Sequence, residues 1–245
     1  MKVDEWYLVS GSDIPCADGL SIRQPTLREF KDQPGLLHQY YAYINIFSLT
    51  KKMLSDQLGI QLPADAQDDM TVFDILMAIT QLREQLLDAL AFYIRDGVSY
   101  DEERHAFRTG KGVWIDSTNY DSVRGIILTS NCIDNSFESP PKFANERARK
   151  IYEKIQKGRE TAVKTKKGGS NLGLPNVISK LSSKSSSYNL LNIWGLTIYQ
   201  LYDQFNNVNR NSQIDIIGTR WAAWGKDDFD FAMWYKNENS SSSAT

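Results

Sequence analysis

Apolar side chains return every three or four residues through most of this chain, a period that commits it to amphipathic helices around a buried core. The pattern is cleanest where Thr71 opens a helix with Asp74 in its first turn. Phe73, Leu76, Met77, Thr80, Leu87, Leu90 and Ile94 then trace one apolar face. It runs earlier through Leu37, Tyr41, Ile44, Leu49 and Leu54 until Gly59 and Pro63 interrupt it. It runs later through Tyr120, Val123, Ile126, Ile127 and Ser130, with Asp116, Ser117 and Asn119 as candidate caps. A shorter helix starts at Pro25 and Thr26, where Glu29 completes the reciprocal Thr-x-x-Glu capping pattern, and Pro34 and Gly35 end it.

Two stretches depart from this period. Trp6 to Val9 reads as a strand that turns through Gly11 to Asp13 and returns in an extended piece ending at Arg23. Residues 98–115 alternate in polarity and turn at Gly110 to Gly112, the pattern of a β-hairpin. The expected fold is therefore mainly α with a small β-hairpin element, an α+β arrangement of a multi-helix body and a C-terminal helical unit.

Breaks in the chain suggest its division. Pro140 and Pro141 end the N-terminal body, residues 1–139, and Gly168 to Ser170 end a polar helical connector, residues 140–170. Between Lys142 and Lys167 that connector carries ten basic residues against three acidic, a local net of +7. The whole chain has 28 basic and 30 acidic residues, a net charge of -2, so any basic patch is local. The C-terminal unit spans residues 171–238. A short helix over 172–181 precedes a periodic stretch over 189–209 with a wide aromatic stripe of Trp194, Ile198, Leu201, Tyr202, Phe205 and Val208. Aromatic residues from Trp221 to Tyr235 supply area to dock against that helix, and residues 239–245 form a serine-rich tail expected to be disordered.

The composition withholds what most enzymes need. Two cysteines, Cys16 and Cys132, lie far apart with no C-x-x-C spacing, so two buried thiols are expected and neither a disulfide framework nor a cysteine zinc site. His38 and His105 have no partner at metal-ligand spacing, and no G-x-S-x-G accompanies a histidine. Gly110-Lys111-Gly112 lacks the rest of a phosphate loop, and acidic pairs such as Asp68/Asp69 and Asp227/Asp228 read as solvated turns. No cofactor, metal or catalytic residue is assigned. Charges in the first residues and the lack of a long apolar run point away from a signal peptide or membrane span, toward the cytosol.

Two features are left to carry function. The basic connector, with Lys150, Lys154 and Lys157, is a solvated linker, a contact for an acidic protein helix, or a phosphate-binding segment; only Phe143 and Tyr152 interleave with its bases, which makes nucleic acid the weaker reading. The stripe of Trp194, Ile198, Leu201, Tyr202 and Phe205 is either ordinary core or a surface that takes a partner helix. A short C-terminal unit covers only part of so broad a stripe, which leaves apolar area for another chain.

Three segments together resemble the tail assembly chaperones of tailed bacteriophages. They are Ser21 to Glu29 after the extended start, Val72 to Met77, and Asn189 to Phe205, reading NLLNIWGLTIYQLYDQF. The resemblance implies a non-enzymatic morphogenesis protein of the host cytoplasm that binds the tape measure protein, with the tail tube protein and self-association as further contacts. It also implies shielding of an aggregation-prone helical chain until tube subunits enclose it. Lys166-Lys167 before Gly168 is compatible with a frameshift site of the kind such genes carry. The length and the aromatic C-terminal unit depart from the smallest chaperones of this type, so a structural component of the virion, in the tail or head-tail region, is the alternative; a nucleic-acid-binding accessory protein is the third.

Overall fold

A computed structural model describes residues 3–16, 19–51, 53–54, 70–133 and 173–225. The basic connector and the serine-rich tail lie outside the described residues. The described chain is mainly helical with two small antiparallel sheets, as the periodicity predicts.

The N-terminal hairpin is differently placed from the sequence expectation. Residues expected as a strand form helix α1 (Glu5–Ser10), opened by the Asp4 carboxylate accepting from Trp6 N at 2.9 Å and closed by left-handed Gly11. A run of four apolar residues fits one helical turn as well as a strand, and here Leu8 is buried and Tyr7 packs half-buried against the core. The hairpin follows instead, pairing β1 (Ile14–Pro15) with β2 (Ser21–Ile22), Ile14 opposite Ile22.

Helix α2 (Leu27–Asp32) begins at the expected capping box: the Glu29 carboxylate accepts from Thr26 N at 3.0 Å. Helix α3 (Leu36–Ser48) follows. The helix expected from Thr71 to Ile94 is two, α4 (Val72–Ala78) and α5 (Thr80–Tyr93). Ile79 between them is extended, and the two helices pack against one another, so one apolar stripe serves two axes. Thr71 and Asp74 cap α4 reciprocally.

The alternating segment has one strand more than expected. Strands β3 (Val98–Asp101), β4 (Ala106–Thr109) and β5 (Trp114–Ile115) form an antiparallel meander. Its first turn crosses residues 102–105 and its second uses the expected Gly110 to Gly112. Tyr100, Phe107 and Ile115 share the face toward the core, while Ser99, Arg108 and Trp114 share the other. Helix α6 (Tyr120–Ser130) buries Tyr120, Val123, Ile126, Ile127 and Ser130, all five expected from the period.

One hydrophobic cluster gathers Leu8, Ile22, Leu27, Phe47, Leu76, Leu90, Phe107 and Ile127 with Leu174, Val177, Leu181, Ile198 and Leu201. The last five belong to helices α7 (Leu174–Lys184) and α8 (Ile198–Trp224). Hydrogen bonds tie the regions together: Leu27 N donates to Leu196 O at 2.9 Å, Thr26 and Thr197 form an isolated antiparallel bridge, and the Gln200 side-chain Nε2 donates to Val9 O at 2.8 Å. At the centre of this body, Arg124 is 3% exposed and its guanidinium donates to Phe47 O at 2.5 Å and Leu49 O at 2.9 Å. It satisfies carbonyls at the C-terminus of α3, where the helix dipole also favours a cation.

Neither thiol is fully buried as expected. Cys16 is half-buried and Cys132 exposed. Cys16 follows β1 and Cys132 stands in the turn after α6, where its φ of 55 is left-handed.

Candidate functional site

Helix α8 starts where Thr197 and Gln200 cap each other: Gln200 N donates to Thr197 Oγ1 at 3.2 Å and Thr197 N to Gln200 Oε1 at 2.9 Å. Before it, residues 189–192 form a turn held by their own amides, with Leu191 N donating to Asn189 Oδ1 and Asn189 N to Asn192 Oδ1, each at 2.8 Å. A short 3₁₀ turn (Ile193–Gly195) leads into the cap. The helix expected over 189–209 therefore begins later, and it extends further, to Trp224, where left-handed Gly225 closes it. Its 27 residues span about 40 Å at the α-helical rise.

The first turns of α8 belong to the body. Ile198 and Leu201 are core residues, 2% and 0% exposed, while Tyr202 and Phe205 are half-buried against the core. Trp194 stands in the 3₁₀ turn, half-buried, with Lys31 Nζ at 5.3 Å from its ring and its indole N–H donating to Leu190 O at 2.6 Å. The core cluster continues along α8 as far as Val208. Lys150, Lys154 and Lys157 lie outside the described residues. Of the residues singled out in the sequence, the fold gathers five at the base of α8 and spends two of them on the interior.

Past Val208 the helix changes character. Ile214, Ile217, Trp221 and Trp224 follow one another at steps of three, four and three residues, the spacing of a helical seam. They lie roughly 160° around the helix from Ile198, Leu201, Phe205 and Val208. Ile214 is buried without joining the core cluster, Ile217 is half-buried, and Trp221 and Trp224 remain 48% and 66% exposed. A single helix thus carries two apolar stripes on opposite sides, the first packed on the core and the second covered at Ile214 but exposed at Trp221 and Trp224. The sequence reading stopped at Val208 and assigned the later tryptophans to packing; the 3-4-3 spacing from Ile214 was the signal that would have found the second seam.

A cleft of about 290 Å³ opens where α3, the end of α6, α7 and α8 meet, lined by Tyr40, Tyr41, Ile44, Asn131, Cys132, Ile133, Leu174 and Tyr202. Tyr40 Oη donates to Asn131 Oδ1 at 3.0 Å. Burial, first among the causes, pushes the Tyr40 and Tyr202 phenols up. The Cys132 thiol is pushed up to about 12 by burial and then by the charge of Asp203, although the residue as a whole is exposed. Among the described residues its lining is apolar apart from the three phenols, the Cys132 thiol and the Asn131 amide. Among the described residues no three His, Cys, Asp or Glu side chains converge to hold a metal ion, and no helix is long and apolar enough to cross a membrane.

Fold and surface together define a mainly helical protein with an apolar helix end turned outward. Residues 164–239, about a third of the chain, match the family model of the YomV second domain, a phage-associated family. The matched stretch contains α7 and all of α8, and it supports a phage origin for the chain. No curated protein and no solved structure matches.

Proposed function

We propose that this chain is a non-enzymatic tail assembly chaperone of a bacteriophage, which acts in the host cytoplasm and holds apolar helical segments of the tape measure protein before the tail tube closes around them. The observation that carries this reading is the end of α8, where Trp221 and Trp224 stay exposed on a helix whose other stripe is already committed to the core. Large aromatic side chains contribute much of the energy at protein interfaces, and an exposed group of them on an ordered helix matches the helix-against-helix mode of recognition. The family match over α7 and α8 agrees with a phage setting. Lys150, Lys154 and Lys157 supply a second, electrostatic contact to acidic stretches of the same partner.

A chaperone leaves when its client is enclosed. Quantitative mass spectrometry of purified virions is therefore expected to find tail tube and tape measure protein but not this chain. The chain is expected to co-purify with the tape measure protein from cells expressing both. Stoichiometric presence in the particle would overturn the chaperone reading in favour of a structural component of the virion.

A further inference from the structure

The outer face of the meander carries an arrangement that the proposed function does not use. Trp114 on β5 pairs in register with Arg108 on β4, and the Arg108 guanidinium carbon lies 5.6 Å from the indole ring centre. Arg104, from the turn between β3 and β4, reaches the same ring at 4.6 Å. The turn that delivers it is tightly specified: Arg104 N donates to Asp101 Oδ1 at 3.0 Å, and His105 takes a left-handed conformation with φ 48. Such a backbone costs a non-glycine residue about 1 kcal/mol, so the turn is held against its local preference.

Two guanidiniums within reach of one ring lie at most about 10 Å apart, so they raise the local positive potential together. Among the described residues neither has an ion-pair partner, whereas Arg23 is paired with Glu29 and Arg95 with Asp13. The absence is not for want of carboxylates, since exposed Glu102 and Glu103 stand in the turn itself. The indole holds both cations by its ring face, which leaves their N–H edges free to donate.

We propose that Arg104 and Arg108, braced on Trp114, form a clamp for a carboxylate on an acidic segment of a partner protein. Guanidiniums match a carboxylate in paired N–H···O geometry, and two of them at one ring deepen the positive potential that draws it in. Asp101, Glu102 and Glu103 beside the clamp set its selectivity. Their charge opposes every anion, and most strongly one carrying many charges along a long backbone, so a short acidic peptide is favoured over a nucleic-acid strand. The clamp shares no residue with the end of α8, and its failure would leave the proposed function untouched.

The test follows the Trp114 indole N–H resonance in the full-length ¹⁵N-labelled chain at low salt. Three probes are titrated: a capped hexaglutamate peptide, the matching hexaglutamine peptide, and a twelve-residue oligothymidylate. Hexaglutamate is expected to shift the resonance saturably, hexaglutamine not at all, and oligothymidylate more weakly than hexaglutamate. Arg104→Gln with Arg108→Gln is expected to weaken the hexaglutamate response at least tenfold. Glu102→Gln with Glu103→Gln is expected to strengthen it several-fold, which keeps the test decisive should the arginine variant fold poorly. An unshifted resonance, equal binding by the arginine variant, unchanged or weaker binding by the glutamate variant, or tighter binding of the oligonucleotide would overturn the proposal.

Discussion

Replacing Arg124 by methionine tests whether a buried cation holds the helical body together. Methionine keeps most of the aliphatic stem and removes the guanidinium, which donates to Phe47 O at 2.5 Å and Leu49 O at 2.9 Å. Hydrogen bonds from a charged donor are each worth about 1.5–3 kcal/mol, and carbonyls stripped of a buried donor cost about 1–3 kcal/mol apiece. Against this stands the desolvation of a side chain only 3% exposed, a penalty of several kcal/mol that the methionine avoids. Because the acceptors terminate α3, where the dipole already favours positive charge, the bonds are expected to win. The net loss is then about 3 kcal/mol, which lowers the melting temperature of a chain this long by about 6–12 °C. Urea unfolding followed by far-ultraviolet circular dichroism measures the difference. A methionine variant as stable as the parent would show that desolvation cancels the bonds and refute the reasoning.

Burial pushes the Glu29 carboxyl up, but the backbone bond from Thr26 and the Arg23 guanidinium outweigh it, and the folded pKa falls below its ordinary 4.5. The stabilisation is thus present above about pH 4.5 and lost as pH falls through the depressed value, so the stability gap between parent and Glu29→Gln is expected to narrow in acid unfolding curves. A Cβ at Gly110 would collide with the carbonyl oxygen of Asp96, a backbone atom that cannot swing away, so Gly110→Ala is expected to cost more than the roughly 1 kcal/mol of a strained turn and to lower the melting temperature measurably. With its pKa pushed up to about 12, the Cys132 thiol is expected to alkylate with iodoacetamide at pH 8 far more slowly than a cysteine in an unfolded peptide, as followed by intact mass.

Helix-forming stretches were readable because each side chain facing the core recurs with the turn of the backbone. Tyr120, Val123, Ile126 and Ile127 were placed correctly from spacing alone, and the Thr26–Glu29 cap marked a true start. Short segments were not readable in the same way: four apolar residues at Trp6 to Val9 satisfy a strand and a helical turn alike, and the decision fell to Asp4 and Gly11 on either side. A period also carries no record of a change in axis, which is why Ile79 divided an unbroken stripe. The start of α8 was legible in Thr197 and Gln200, yet the apolar run from Trp194 masked it. The outward seam is the least legible element, because two stripes on opposite sides of one helix cancel in any average over its length. Separating them requires knowing where the core ends, at Val208, and that is a tertiary fact.

The central claim is that the end of α8 receives the tape measure chain. A photoreactive benzophenone residue at position 224 or 221, in cells co-expressing the tape measure protein, is expected to crosslink to that protein, while the same residue at exposed position 179 on α7 is not. Equal crosslinking at all three positions, or none at 221 and 224 while the tape measure protein is present and soluble, would contradict the account.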